Sequence, residues 1–352
     1  MNPNIKKIQN LRTGPSPDVN KLNDKITPDH IKKPFLTPKV VKNTSNRDNL
    51  RVDEKRKVIE DDFAMNLMNG VTGFLKPSTN WYLNFGGTGD LILLLAGCYN
   101  DPNAQIVFCA NTCSLELCKE LLDFFKKDYY LSRNVMGSRA ANTIHDYMRS
   151  RTNLKPSGHL AKGLYFGDWP VNQDYYEKNI KIKTDWIQEL GKNPFFKDDR
   201  VVIVQPSGST KSLDRQRYLS QNEYNSLVKR LVNENYHVIT TGSLADKEFY
   251  NWRPWTVKNY FMTSGQLFGF NKVSSINIST FLQTINCAEK VISMDTWLKT
   301  YSSICGIETI VIQSRCRGGY LRVGSDVGDS IFLNTKWWPN MRIVKFEDLT
   351  SF

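Results

Sequence analysis

The pattern that most constrains this chain is an alternation, met twice, between short apolar runs and one-sided apolar stripes. In the second half Val201–Gln205 is a continuous apolar run, the mark of a strand buried on both faces of a parallel sheet. Ser220 follows as a helix cap. Tyr224, Leu227, Val228, Leu231 and Val232 then recur at helical spacing and leave one apolar face. The alternation continues with a strand over His237–Thr241 ending at Gly242 and a helical stripe at Ile278, Phe281, Leu282 and Ile285. A strand over Lys290–Met294, a helix over Thr296–Cys305 and a strand over Thr309–Gln313 complete it. The first half repeats the plan. Trp81–Phe85 reads as a strand, Gly86–Gly89 as a tight loop, Asp90 to Tyr99 as an apolar helix, Ala104–Ala110 as a strand and Ser114–Lys127 as a helix. Strand, helix, strand, helix implies an α/β fold with parallel sheets, here in two similar Rossmann-like halves. A helix over Tyr175–Leu190 stops at Gly191, with Asn193-Pro194 beyond it. The halves are therefore bounded as 58–191 and 192–352.

Residues 1–57 stand apart. They carry Pro3, Pro15, Pro17, Pro28, Pro34 and Pro38 and no apolar periodicity, so they cannot bury enough surface to offset their ordering entropy. They hold 14 Lys/Arg against 6 Asp/Glu, which is most of the chain's formal charge of +12. Such a basic, flexible, disordered arm attracts polyanions such as nucleic acid, anionic lipid or acidic glycan. An equally good reading is a solvated tail with no partner. No apolar run reaches the length of a membrane span and no apolar signal core opens the chain, so the expectation is an intracellular, cytoplasmic protein without a transmembrane segment. The 7 cysteines are expected to be reduced and mostly buried, because no Cys-x-x-Cys pair or nearby His turns Cys109, Cys113 and Cys118 into a metal site.

Three constellations bear chemistry. Gly86-Gly87-Thr88-Gly89-Asp90 lies between a strand and a helix, where glycines admit close approach and a helix N-terminus offers N–H groups. Ile92 stands where a dinucleotide fingerprint needs its third glycine, and no Gly-Lys-Ser/Thr follows. Asp90 has an ordinary role as a cap and a sharper one as a general base. Ser207-Gly208-Ser209-Thr210-Lys211, with Arg215 and Arg217 beyond, leaves the C-terminal end of a strand. Small hydroxyl and glycine residues followed by cations suit a diphosphate, and otherwise form a solvated polar loop. Asp295 and Thr296 sit at a strand-to-helix junction, where they could line a phosphate or ribose pocket. Asp295 would otherwise simply cap the helix.

These residues resemble the heptosyltransferase-like glycosyltransferases, family 9, of GT-B fold. Gly89-Asp90-Leu91-Ile92 followed by Pro102-Asn103-Ala104-Gln105-Ile106 resembles that family's first domain. Gln205-Pro206-Ser207-Gly208 with Lys211, Arg215 and Arg217 before Tyr218, then a strand closing on Gly242, resembles its second. The family's Asp-Ser/Thr-Gly-x-x-His is met by Asp295-Thr296, with Trp297 in place of the glycine and Thr300 in place of the histidine. The resemblance implies two facing Rossmann-like domains: residues 58–191 for the acceptor and 192–352 for a nucleotide-sugar donor. It implies an inverting transfer of a hexosyl or heptosyl group with no metal and no cofactor beyond the nucleotide-sugar co-substrate. Asp90 would be the base. Ser207, Gly208, Ser209, Thr210, Lys211, Arg215, Arg217, Gly242, Asp295 and Thr296 would hold the donor.

Other readings keep part of this. The acceptor could be a nucleic-acid base rather than a glycan, with the arm and Trp252, Trp255, Trp337 and Trp338 touching phosphates and bases, although such aromatics are more often core. The chain could also be a non-catalytic binding protein on the same frame. A dehydrogenase is weaker, for want of the third glycine. If Asp90 is only a cap, Asp168 or His145 becomes the base to test.

Overall fold

The computed structural model describes residues 66, 69–70, 73–74, 80–110, 115–133, 189–197, 199–212, 215–316, 319–320 and 338–349. By its contacts the chain divides into residues 1–57 and residues 58–352, and every described residue belongs to the second unit. The basic arm, Asp168, His145, Trp337 and all but the last two residues of the helix expected over Tyr175–Leu190 lie outside the described residues.

The first sheet has the order β1-β2-β3, all parallel: β1 (Asn80–Gly86), β2 (Ala104–Ala110) and β3 (Asp128–Arg133). All seven residues of the central strand β2 are buried, as its apolar run requires. Between β1 and β2 runs α1 (Thr88–Gly97), in which every residue from Leu91 to Ala96 is buried. A helix apolar on all sides needs cover on all sides. One side of α1 meets its own sheet, and the other meets the second half of the chain. After β2 comes α2 (Leu115–Phe124).

The second sheet has eight strands. They are β4 (Val201–Gln205), β7 (His237–Thr241), β8 (Asn259–Met262), β9 (Gln266–Gly269), β10 (Lys272–Ser275), β11 (Ala288–Ser293), β12 (Glu308–Ile312) and β15 (Met341–Val344), in the order β10-β9-β8-β7-β4-β11-β12-β15. From β8 to β15 the neighbours are parallel, and β9 and β10 add an antiparallel edge. Alternate residues of β4 serve opposite faces. Val202 and Val204 pack on α3 (Gln221–Asn233) through Tyr224, Leu227, Val228 and Leu231. After β7 comes the short helix α4 (Leu244–Phe249). Val201 and Ile203 join a cluster with α5 (Ile278–Ile285) and α6 (Trp297–Ile304). That cluster continues without a break into Leu91, Leu94, Leu121 and Leu122 of α1 and α2. The two parallel sheets are thus separate, yet they share one apolar core. The fold is α/β, as the double alternation implies.

Three details correct the sequence reading. The expected loop Gly86–Gly89 is shorter: Gly86 ends β1, Gly87 is the cap position, and Thr88 and Gly89 already belong to α1. The expected polar loop after Gln205 is a hairpin of β5 (Ser207–Ser212) and β6 (Arg215–Tyr218). Its strands form a third, antiparallel sheet with β13 (Arg315–Cys316) and β14 (Gly319–Tyr320). The hairpin carries no alternating apolar face, so the usual signal of a half-buried strand is missing. Third, β3, β8, β9, β10 and β15 are strands that the sequence reading does not mark. The stop at Gly191 is matched by a left-handed backbone there, φ 74°, a conformation that favours glycine.

Candidate functional site

In the large sheet the chain runs from β4 to β7 and β8 on one side, then returns to β11, β12 and β15 on the other. Where strand order reverses, loops leave in opposite directions and open a crevice at the C-terminal ends, here those of β4 and β11. Gln205 ends β4 and Ser293 ends β11. The N–H of Met294 donates to the Gln205 carbonyl at 3.1 Å, which ties the two ends together.

The polar residues at this point are mutually bonded. Thr296 Oγ1 donates to Gln205 Oε1 at 2.6 Å and lies 2.8 Å from Ser293 Oγ. With its hydroxyl engaged there, Thr296 makes no side-chain bond to the N–H groups of α6, although it holds the cap position, and no acid occupies the first turn. Asp295, the residue expected as cap, turns elsewhere. Its Oδ1 accepts from Lys299 Nζ at 2.6 Å, one helical turn on, and its Oδ2 lies 3.5 Å from Arg217 Nη2 of β6. The Lys299 side chain is only 2% exposed and that of Asp295 9%. Both members of the pair are buried, so it is built into the core rather than laid on the surface. The capping role is thereby corrected.

The hairpin rests on the same place. A Cβ at Gly208 would lie 3.3 Å from Arg217 Cβ, a tight fit within the hairpin, and 3.5 Å from the Asp295 carbonyl oxygen, so β5 also touches the turn after β11. Between Ser207 and Lys211 the pairing with β6 shifts register, so Gly208, Ser209 and Thr210 bulge from the ladder. The backbone of Lys211 and Arg215 lies in the hairpin strands. The side chains of Ser209, Thr210, Lys211 and Arg215 lie outside the described residues. Ser207 Oγ donates to Asp246 Oδ1 at 2.7 Å. Gly242 faces the same carboxylate: a Cβ there would stand 2.9 Å from Asp246 Cβ.

The glycine turn of the first sheet meets this crevice. A Cβ at Gly89 would lie 3.4 Å from Trp297 Cα and 3.5 Å from Thr300 Oγ1, so the first turns of α1 and α6 are in contact. Trp297 also stacks on Phe281, with ring centroids 5.7 Å apart. Trp297 and Thr300 therefore serve the join between the halves. Asp90 is half-buried and its Oδ2 accepts the N–H of Gly87 at 2.8 Å, closing the first turn of α1.

The structure thus brings Gly208 and Arg217 against Asp295, sets Gly242 against Asp246, and joins Gly89 to the first turn of α6. Sequence reasoning missed Lys299 and Asp246. Both carried a signal: Asp295 and Lys299 have the i,i+4 spacing of a helical ion pair, and Ser243 and Asp246 have the spacing of a capping box. Of the tryptophans, Trp338 is a core residue at 2% exposure, which removes it as a stacking platform for a base. Burial pushes the Cys98 and Cys109 thiols up to about 12, the behaviour of inert core thiols. Among the described residues no three His, Cys, Asp or Glu gather as a metal site would need, and no helix is long and apolar enough to cross a membrane.

No family model matches the chain. No curated protein matches it either. Among solved structures, the chain is similar to a glycosyl transferase family 9 from Veillonella parvula at 11% identity, over 78% of this chain and 88% of that one, with a TM-score of 0.44. It is also similar to the E. coli ADP-heptose lps heptosyltransferase II at 12% identity, over 75% and 90% of the two chains, with a TM-score of 0.36.

Proposed function

We propose that this chain is a cytoplasmic glycosyltransferase that moves a sugar from a nucleotide-diphosphate donor to an acceptor hydroxyl. The observation that carries the reading is the contact of Gly89 with Trp297 and Thr300, 3.4–3.5 Å from a Cβ at residue 89. It joins the first turn of α1, which contains Asp90, to the first turn of α6, and the reading takes Asp90 from there as the base. The diphosphate would lie at the N-terminus of α6, whose cap residue spends its hydroxyl on Gln205. The bulged Gly208–Thr210 segment and the cations Lys211 and Arg215 would complete that anion site. Arg217, paired with Asp295, would act by holding the hairpin as well as by its charge.

In the reaction the acceptor oxygen attacks the anomeric carbon as the bond from that carbon to the diphosphate oxygen breaks. The electron pair leaves with the diphosphate, and the acceptor proton passes to Asp90. One displacement inverts the configuration. Cationic side chains and the helix N-terminus would stabilise the departing charge, so the reading needs no metal and no further cofactor. Free thiols at Cys98, Cys109, Cys118, Cys287 and Cys305 fit a reducing compartment. A glycan acceptor is preferred over a nucleic-acid base, because the burial of Trp338 takes away one of the aromatics that the nucleic-acid reading used.

The test is a thermal-shift and hydrolysis panel with ADP, UDP and GDP and their sugar conjugates. A binder present at 100 times its Kd should stabilise the fold by about 2.7 kcal/mol. Lys211→Ala and Arg215→Ala should each weaken that nucleotide by roughly tenfold or more, the weight of a charge-assisted hydrogen bond. Failure of every nucleotide to raise Tm, with no sugar released, would end the reading.

A further inference from the structure

The β5–β6 hairpin is tied to the large sheet at its base from both sides of β4. Leu219 N–H donates to the Pro206 carbonyl at 2.8 Å and closes the base. The Tyr250 hydroxyl lies 3.1 Å from the carbonyls of both Pro206 and Leu219 and holds that closure from below. On the β11 side, Asp295 reaches Arg217 at 3.5 Å. On the β7 side stands Asp246, in α4. Its Oδ1 accepts from Ser207 Oγ at 2.7 Å, and its Oδ2 accepts from Ser243 N–H at 2.8 Å and Ser243 Oγ at 2.7 Å. One carboxylate therefore joins the turn after β7 to the first residue of the hairpin. The approach is possible because residue 242 is glycine: a Cβ there would stand 2.9 Å from Asp246 Cβ and 3.1 Å from its Oδ2.

We propose that Asp246 is a positioning residue that clamps the base of the hairpin against the turn after β7, with Gly242 as the clearance that lets its carboxylate reach Ser207. Asp295 closes the opposite jaw through Arg217. A hairpin held by one carboxylate from the segment that follows each strand beside β4 is fixed in height and tilt over the switch point, which a single tether does not achieve. The consequence for ligand binding rests on the glycosyltransferase reading, in which the hairpin brings Lys211 and Arg215 to the diphosphate. The clamp itself does not rest on it.

Amide hydrogen exchange on the full chain, without ligand, tests the clamp. Ser207→Ala, Asp246→Asn and Gly242→Ala disturb it from three positions. Each should speed exchange in peptides covering 207–218 by roughly tenfold, the weight of one charge-assisted hydrogen bond, while peptides of β4 and β11 keep their protection. Ser207→Thr keeps the hydroxyl and should exchange like the parent, a rescue that a purely steric role of Ser207 would not give. Unchanged exchange over 207–218 in Ser207→Ala overturns the proposal, and so does an equal rise across β4, β7 and β11. Ser207→Ala removes a single oxygen, so it decides the matter even if Asp246→Asn fails to fold. A parallel titration with ADP and UDP separates the two claims. If the parent binds neither, the donor reading falls while the exchange result still judges the clamp. If it binds one, Ser207→Ala should weaken that nucleotide and Ser207→Thr should not.

Discussion

The two strand-to-helix turns at the centre of the molecule use the same ingredients in opposite ways. Each joins a parallel strand to a buried helix, each carries an aspartate, and their helices touch. At the β1–α1 turn the aspartate lies inside the helix and is spent on backbone: Asp90 accepts Gly87 N–H at 2.8 Å. At the β11–α6 turn the aspartate lies before the helix and is spent on side chains, Lys299 at 2.6 Å and Arg217 at 3.5 Å, while α6 keeps no side-chain cap. Neither helix has a side-chain bond from its cap residue to its first N–H groups. The first turn uses its acid to hold the N–H of Gly87, and the second uses its acid to fix a hairpin. An acidic residue beside a helix start therefore does not announce its role. What decides it is whether the residue falls within reach of the cap position or one step short of it.

The largest expected effect tests the first turn. Asp90→Asn keeps the size and a capping oxygen, so the turn should hold and Tm should stay within a degree or two. If Asp90 is the general base of the proposed transfer, turnover should fall by about 10²–10⁴-fold with donor affinity unchanged. Full turnover in a folded Asp90→Asn would reduce the residue to its backbone bond and erase the functional half of the contrast.

Next in size is the buried pair of the second turn. Lys299→Met keeps the stem and removes the ammonium that Asp295 faces across 2.6 Å. Breaking one side of a buried ion pair typically costs about 3–5 kcal/mol, whereas an exposed pair is worth less than about 1 kcal/mol. Urea unfolding should place Lys299→Met in the first range. Combining it with Asp295→Leu should recover part of the loss, because both charges of the Lys299–Asp295 pair are then removed, and only the more exposed Arg217 loses a partner. A loss below about 1 kcal/mol would put this pair in the surface class and remove the argument that Asp295 is rigidly held.

Much of this frame is legible in the sequence. Tyr224, Leu227, Val228 and Leu231 are buried where their spacing puts them, Ser220 caps as its position suggests, and the apolar run Val201–Gln205 is a fully buried strand. These signals are local, since the residues that carry them also form the element. The hairpin is not legible. Ser207–Ser212 pairs with Arg215–Tyr218, which pairs in turn with Arg315–Cys316 about a hundred positions on, and no apolar alternation marks them. At the site, the motif glycines and acids stand out in the sequence, but their partners do not. Asp246 and Lys299 carry only the local spacings of a capping box and a helical ion pair; the bond from Ser207 to Asp246 and the burial of the Lys299 pair come from the fold. The shared core of the two halves is hidden for the same reason: Leu91–Ala96 shows that α1 needs cover on all sides, and only the fold names α6 as part of that cover.

The smallest effect supplies a reference for a fully capped helix, against which the open end of α6 can be measured. In α3 both halves of the box are present. Ser220 Oγ accepts Glu223 N–H at 3.3 Å, and Glu223 Oε2 accepts Ser220 N–H at 2.7 Å; Glu223 is also paired with Arg315 of β13. Ser220→Ala should cost about 1 kcal/mol, the usual worth of a cap. Thr296→Ala should cost nothing through capping and only what its bonds to Gln205 and Ser293 contribute. The pH dependence separates box from pair. Burial pushes the Glu223 carboxyl up, but Arg315 and the Ser220 N–H and hydroxyl push it down more strongly, so its folded pKa lies below the ordinary value. A depressed carboxylate contributes stability that is fully present above its unfolded pKa, near ~4.3, and is lost as pH falls through the folded value. The Tm gap between the parent and Glu223→Gln should thus be open at neutral pH and close progressively on acidification below that value. A gap that stays constant into acid would mean that Glu223 acts through packing alone, and α3 would then be no standard for judging what α6 leaves open.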